Sequence, residues 1–517
     1  MEPKISFGNP VNISFEKICI LKDAHLKVEN GKRYALVGKN GIGKTTLLDY
    51  IARSSCCDMI YVKQEECETD CNVIDTLMSS NNELFMKHKR FTQLESMMND
   101  NITDDIELDL VEEFNELSED ISGSYIKELV RAQKILLGLG FTLSDQIEFV
   151  TKYSGGWRMR IFLAKALFMT PTLLLLDEPS NHLDLQANIW LSEYLKSYNK
   201  TIVLVSHDRY LINEVCTTVI HIDNKKLNYY NGDYDMFEKQ LLLVQNKIEK
   251  DWKLFEKQVK LMRKHGTSKE NVAKFIKENS PQKPERNYQV KITLMQPIPI
   301  RERYIMMENA TGAYEPDKLI LEDISLHVEQ GDRIAIVGKN GTGKSTLFKL
   351  LNGDLNPIKG NITRARNLKI GYYDQHFQDT MPSDVSPIKY LMNLNLSLDE
   401  QNAHKYLGMF GLDSSHHGIM IGSLSGGQKA RVKLSSFGVT RPHLLLLDEP
   451  SNHLDMTTVD SLINALSLFT GAIIVITHNF DLLTKLKSEV WVVEDKRIFK
   501  YRGNYEDYVQ AIYNAYL

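Results

Sequence analysis

GKNGIGKTT at residues 38–46 is written again, with two changes, as GKNGTGKST at residues 338–346. Each copy follows a β-like run, RYALVG (33–38) or RIAIVG (333–338), and opens an apolar helix, TTLLDYIA or STLFKLLNG. Glycines at this spacing let successive backbone N–H groups converge on phosphate oxygens, and the helix that follows adds its positive N-terminal end. One match to GxxxxGK[ST] can arise by chance. Two matches, each between a strand and a helix, point to a duplicated phosphate cradle.

Working outward, each half repeats one ordered set of signals. A strand runs into glutamine, IYVKQ (Gln64) or IGYYDQ (Gln375). YSGGW (153–157) or LSGGQ (424–428) then opens a helix, and LLLLDEPSNHLD stands word for word at 173–184 and 444–455. A last β run ends in histidine, TIVLVSH (His207) or AIIVITH (His478). Short apolar strands alternating with helices give an α/β fold: two P-loop domains in tandem, each on a largely parallel sheet.

The halves differ in two places. Ninety residues separate Gln64 from Ser154 and fifty separate Gln375 from Ser425, so the first half carries about 40 extra residues, rich in Glu, Asp and Leu. They read as a helical arm at about 80–130. Between the halves, Phe237, Leu241, Val244, Ile248, Phe255, Val259 and Met262 recur at helical steps, and Val272, Phe275 and Ile276 mark a shorter helix before Pro281 and Pro284. The expected domains are therefore 1–230, a helical hairpin linker over 231–300, and 301–517. Residues 240–291 hold 13 Lys/Arg against 6 Asp/Glu, +7 on a chain of net charge −5. A charge run is usually a solvated helix face; an amphipathic stripe backed by this bias is expected to face phosphate.

A chain of 517 residues with 43% apolar and 25% charged residues has material for several packed cores. No apolar run approaches the roughly 20 residues that cross a bilayer, so no membrane partner is expected, and MEPKISFGNP lacks the pattern of a signal peptide. All six cysteines fall within the first 216 residues, which suits a reducing, cytoplasmic setting better than a disulfide framework. Cys67 and Cys71 have no second pair at zinc-like spacing.

The repeated residues assemble a nucleotide chemistry with Mg²⁺ and ATP. Lys44 and Lys344 reach the β- and γ-phosphates from loops Gly38, Lys39, Asn40, Gly41, Ile42, Gly43 and Gly338, Lys339, Asn340, Gly341, Thr342, Gly343. Thr45 and Ser345 offer a hydroxyl to Mg²⁺, and Thr46 and Thr346 face the α-phosphate. The apolar LLLL strand delivers Asp177 or Asp448 to the metal, and Glu178 or Glu449 can polarise an attacking water. An isolated Asp-Glu at a strand end is ordinarily a turn; a partner loop present in both halves reverses that judgement. Gln64 and Gln375 suit sensing of the γ-phosphate through Mg²⁺ or water, and His207 and His478 suit direct contact with it.

Loop, glutamine, SGG, LLLLDEP, SNHLD and terminal histidine, in that order across almost the whole chain, resemble ATP-binding cassette domains. Two cassettes, no membrane span and a basic helical linker resemble the ABC-F family of ATPases, many of which act on the ribosome with the linker directed at tRNA. The resemblance implies cassettes that close head to tail within one monomeric chain. Ser425, Gly426 and Gly427 would complete the Lys44 site, and Ser154, Gly155 and Gly156 the Lys344 site. Asp184 and Asp455 would couple the two across the seam. Phe15 and Tyr314 would stack on adenine. YSGGW departs from LSGGQ through Tyr153 and Trp157, which makes unequal sites an open expectation.

The function expected is an ATP-hydrolysing clamp that modulates translation, with ribosomal RNA and tRNA as partners and no DNA. Two alternatives stand beside it: a regulator or scaffold acting off the ribosome, and the motor of a transporter, for which a basic linker has no evident use. Repair ATPases carry zinc CxxC pairs, recycling ATPases an iron–sulfur cluster and the filament-type elongation factor a helical-repeat front; none of these is written here.

Overall fold

The computed structural model describes residues 4–5, 10–15, 18–39, 41–55, 57–63, 70–100, 108–181, 183–265, 269–281, 283, 291–452 and 454–516. Asn40, Gln64 and the Phe15 side chain lie outside the described residues.

The first half runs β1 (Arg33–Val37), α1 (Lys44–Ser54), β2 (Met59–Val62), α2 (Asn82–Asp100), α3 (Leu108–Gly138), α4 (Gly155–Met169), β3 (Leu173–Asp177), α5 (Leu185–Lys196), β4 (Thr201–Val205), α6 (Arg209–Val215), β5 (Thr218–Asp223) and β6 (Lys226–Asn231). Helices α7 (Tyr234–Lys264) and α8 (Lys269–Asn279) follow. The second half repeats the plan with β7 (Arg333–Val337), α9 (Lys344–Asn352), β8 (Ile370–Tyr373), α10 (Gly426–Thr440), β9 (Leu444–Asp448), α11 (Met456–Ser467), β10 (Ala472–Ile476), α12 (Phe480–Leu486), β11 (Glu489–Glu494), β12 (Arg497–Lys500) and α13 (Tyr505–Tyr516).

The main sheets have the same order, β2-β3-β4-β1-β5-β6 and β8-β9-β10-β7-β11-β12, parallel except for the last strand of each. Strands covered on both faces are apolar throughout rather than alternating, and every residue of LLLLD is buried in both halves. Leu174 and Leu176 enter the core beneath the helical layer, while Leu173 and Leu175 enter the core beneath α1. Because β1, β3 and β4 are adjacent and parallel, their C-terminal ends open onto one edge. That edge is where an α/β sheet receives a ligand.

The arm is the α2–α3 hairpin. The Arg90 guanidinium meets Glu113 through Nε and Nη2, each at 2.9 Å, and Phe91 stacks on Phe114 at 4.8 Å. The linker stripe is covered most fully at its ends. Tyr234 and Phe237 pack on the first cassette, and Phe255, Val259 and Val272 bury one another near the hairpin tip. Between them Val244 of the stripe is exposed and Ile248 half-buried, and Leu242, Leu243 and Leu254, off the stripe, are exposed as well. Residues 291–300 run without helix or strand along the second cassette, where Gln296 Oε1 accepts from the Thr470 N–H at 2.8 Å and Ile292 and Leu294 enter its core.

The two halves meet reciprocally. Leu185 and Ile189 of α5 join the second cassette's core, and Met456, which like Leu185 follows the SNHLD aspartate, packs against the first cassette's core. No helix among the described residues is long and apolar enough to cross a membrane.

Candidate functional site

Glycine is required where each loop turns into its helix. Gly43 has φ +102° and Gly343 φ +101°, and a Cβ there would stand 2.5 Å from Ile20 Cγ2 or 2.7 Å from Ile320 Cγ2. Any side chain at these positions would be strained by both conformation and contact. The turn folds each lysine over its own loop. Lys44 Nζ donates to Gly38 O at 2.9 Å, and Lys344 Nζ donates to Gly338 O at 2.7 Å and Lys339 O at 2.8 Å. Burial lowers the pKa of both ammonium groups. Thr342 Oγ1 donates to Lys339 O at 2.9 Å, and the Ile42 N–H closes the first loop on Lys39 O at 3.2 Å. Thr346 is buried in α9, and Thr46 lies half-buried in α1.

The next strand brings the carboxylates. Thr45 Oγ1 donates to Asp177 Oδ2 at 2.8 Å and Ser345 Oγ to Asp448 Oδ2 at 3.1 Å. Burial raises both aspartate pKa values, that of Asp448 to about 6. A hydroxyl and a carboxylate side by side are hard oxygen donors that suit Mg²⁺, which binds through one or two protein oxygens and phosphate. Gln375 is exposed two residues beyond β8, between Asp374 and His376, whose charges both act on Asp448.

Glu178 and Glu449 carry left-handed backbone, φ +51° and +49°, uncommon for a side-chain residue and held by N–H bonds of 2.8 Å to Val205 O and Ile476 O. Burial pushes each carboxyl up to about 8. Oε2 of Glu178 accepts from the His207 N–H at 3.1 Å, and Oε2 of Glu449 accepts from Thr477 Oγ1 at 3.2 Å. Oε1 of each is buried without a hydrogen bond among the described residues, 3.5 Å from His207 Nε2 and 3.4 Å from His478 Nε2. Burial also drives the His478 pKa far below the usual imidazole range, so this ring is neutral.

The seam completes the arrangement. Asp184 caps α5 by accepting from the Ala187 N–H at 3.0 Å, while its other oxygen accepts from the Asn340 N–H of the opposite loop at 3.4 Å. Asp455 caps α11, and its charge acts on Lys44 as that of Asp184 acts on Lys344. The signatures differ locally. Ser425 and Gln428 form a reciprocal capping box at the start of α10, so Gly426 and Gly427 begin a tightly held turn. Ser154 caps α4 without a side-chain bond. Trp157 turns instead to Phe141 at 4.9 Å and lies under the Arg160 guanidinium at 4.4 Å, with Gly155 and Gly156 in the first turn. Tyr314 is 55% exposed, with Lys349 Nζ 5.1 Å over its ring, so it is not a core residue and its ring is open to a base.

A family model described as ABC transporter matches residues 21–181 and 321–452. ABC transporter F family member 4 of Arabidopsis thaliana is 38% identical, over 95% of this chain and 74% of that protein. The chain belongs to the ABC transporter F family. ATP-binding cassette sub-family F member 2 of Bos taurus is similar to this ABC-F chain at 36% identity over 96% of it and 81% of the relative. A solved structure, the complex of archaeal ribosomal stalk protein aP1 with the archaeal ribosome recycling factor aABCE1, shares the fold at TM-score 0.56 and 18% identity, covering 95% of this chain and 90% of that one.

Sequence reasoning passed over several residues that the ABC-F seam uses. Arg160 reaches Asp184 at 3.8 Å and Arg431 reaches Asp455 at 2.8 Å. Both stand six residues after the signature serine, in SGGWRMR and SGGQKAR, so comparing the repeats in register would have found them. Thr477, one residue before His478, was signalled by the hydroxyl residue that precedes both histidines. Tyr61, whose hydroxyl donates to Asp177 Oδ2 at 3.5 Å, had no such signal beyond its place near the end of β2.

Proposed function

We propose that this ABC-F chain hydrolyses ATP at two sites where its cassettes face each other, and that it works on the ribosome with the basic helices of the linker directed at RNA. Lys44 and Lys344 would bind the β- and γ-phosphates. Thr45 with Asp177, and Ser345 with Asp448, would hold Mg²⁺, with Gln64 and Gln375 at its edge. Bound Mg²⁺ supplies charge neutralisation at the phosphates. Phe15 and Tyr314 would stack on the base.

Glu178 and Glu449 would each accept the proton of the attacking water, with His207 and His478 beside the γ-phosphate. The observation that carries this reading is the pair of buried Oε1 atoms, each lacking a hydrogen bond among the described residues, at a carboxyl whose pKa of about 8 lies close to working pH. The serine and glycines of each signature would face the phosphates of the opposite cassette, so nucleotide favours the closed seam because it touches both halves there. Cleavage removes that contact and lets them part.

The +7 balance over residues 240–291, on long helices joined to both cassettes, supports an RNA partner rather than a lipid one. The test is sedimentation of the Glu178→Gln/Glu449→Gln chain with ribosomes and ATP, with a parallel chain lacking residues 240–290. The first should pellet with ribosomes and the second should not, while basal hydrolysis survives the deletion. A double-Gln chain that stays in the supernatant removes the ribosome from this reading.

A further inference from the structure

Arg209 begins α6 two residues after His207, and its guanidinium serves two sides. Toward its own half, it lies 5.0 Å over the ring of Tyr234, the first residue of α7, and Nε donates to Asp235 Oδ1 at 2.9 Å. Nη2 donates to Glu238 Oε2 one turn further along the same helix. Toward the other half, Nη1 faces Asp460 Oδ1 of α11 at 3.8 Å and Asp481 Oδ2 of α12 at 3.9 Å. The adjoining Tyr210 stacks on Phe480 across the seam, centroids 5.1 Å apart and planes 26° from parallel. We propose that Arg209 is a positioning residue that ties closure of the seam to the orientation of the linker helix α7.

The proposal rests on the reading that nucleotide closes the seam and its cleavage opens it. A guanidinium is planar, with donors pointing to several sides, so one group can hold the first turn of α7 and the second cassette together. The chemistry around it is unbalanced: four carboxylates converge on Arg209, and among the described residues Lys485, 3.4 Å from Asp460, is the one second-half cation that shares the load. When the cassettes part, Asp460 and Asp481 keep Lys485 of their own half, while Arg209 stays with Asp235 and Glu238. The first turn of α7 then loses its anchor across the seam. The corresponding position after His478 is Phe480, so the second half does not repeat this arginine. The linkage runs from the first cassette's histidine segment into the linker, which makes the linker the element that reports closure.

Hydrogen exchange on the full chain tests this, in the Glu178→Gln/Glu449→Gln background, with and without ATP. In that parent, ATP should slow exchange both in residues 338–346 and in residues 235–250. Adding Arg209→Gln should leave the ATP-dependent protection of 338–346 in place and reduce that of 235–250 about 5- to 10-fold. Asp460→Asn with Asp481→Asn, which cuts only the cross-seam side and leaves α7 held to α6, should do the same. The proposal is overturned if either variant keeps the full ATP-dependent protection of 235–250. It is equally overturned if Arg209→Gln merely speeds exchange through α6 and α7 to the same extent with and without ATP, since that is loss of local structure. If ATP protects neither region in the parent, the clamp reading itself fails and this inference falls with it; the unprotected phosphate loop tells the two failures apart.

Discussion

Replacing Glu178 and Glu449 by Gln should raise the stability of the nucleotide-free protein at alkaline pH, although each change removes a residue at the centre of the proposed chemistry. In the fold both carboxyls stand at about 8 against an ordinary 4.5, because burial disfavours the charged form. A folded pKa above the unfolded one means the native state holds the proton more tightly. The stabilisation is therefore complete below about pH 4.5 and is lost as pH rises toward 8, at about 1.4 kcal/mol per pH unit for each group. Carried through the whole interval this approaches about 5 kcal/mol per carboxyl. Water entry and relaxation around an ionised carboxylate return a good part of such a penalty, leaving about 2–3 kcal/mol per cassette. Glutamine is neutral at every pH and nearly the same shape, so it avoids that loss. Asp177, Asp208 and Asp448 are also raised by burial, but they are common to both proteins and cancel in the difference. For a cassette of this size, about 2–3 kcal/mol corresponds to roughly 4–10 °C in Tm. Calorimetry in EDTA without nucleotide, at pH 5 to 9, should show the double variant melting nearly level with the parent at the acid end, progressively above it up to about pH 8, and by a constant margin from there to pH 9. A difference that stays flat within about 1 °C across that range would mean that both carboxylates are ionised and solvated in the fold, and the argument for their role as bases would lose its physical ground.

The same double variant should release phosphate from ATP roughly 10²–10⁴-fold more slowly than the parent, as loss of a general base does, while still binding nucleotide. Trp157→Gln would give the first signature the SGGQ of the second, yet it should destabilise the first cassette by about 2 kcal/mol, because the indole packs on Phe141 and carries the Arg160 guanidinium; chemical denaturation reads this directly. Gln428→Ala removes one side of the capping box and should cost only about 1 kcal/mol in the same assay. Tyr314→Ala should weaken ATP at the second site about 3- to 10-fold with little change in Tm, since the ring is exposed and contributes stacking rather than core.

Much of this molecule was legible because its chemistry is written in backbone and doubled. Gly43 and Gly343 meet Ile20 and Ile320 in the same way, and LLLLDEPSNHLD is buried strand, carboxylate pair and helix cap in both halves. The long helix of the linker was readable from its stripe, but the stripe did not say where it is covered. Its two ends find partners in the first cassette and in α8, whereas Val244 on the stripe is exposed, because periodicity records which face is apolar and not what arrives to meet it. The residues missed divide by the same logic. Arg160 and Arg431 are doubled and could have been found by register. Arg209 is not doubled, and the carboxylates on its far side lie more than 250 positions along the chain, so no local pattern brings them together.

Duplication followed by divergence leaves a physical asymmetry exactly where the halves touch. Two identical cassettes would place like residues in equivalent positions across the seam, and a charged residue would then tend to meet its own kind. Here α6 brings Arg209 and Tyr210 against Phe480 and Asp481 of α12, so ring meets ring and guanidinium meets carboxylate. The signatures follow the same rule. One is held by a capping box and the other by an indole under an arginine, and the lysine facing the second arrangement, Lys344, is more deeply buried than Lys44. Desolvation makes each charge–charge contact around a buried ammonium stronger and each uncompensated one more costly. If phosphate binds at both lysines as proposed, a change of its charge at Lys344 should have more leverage on the seam than the same change at Lys44. The sites share a template, and their burial sets them apart.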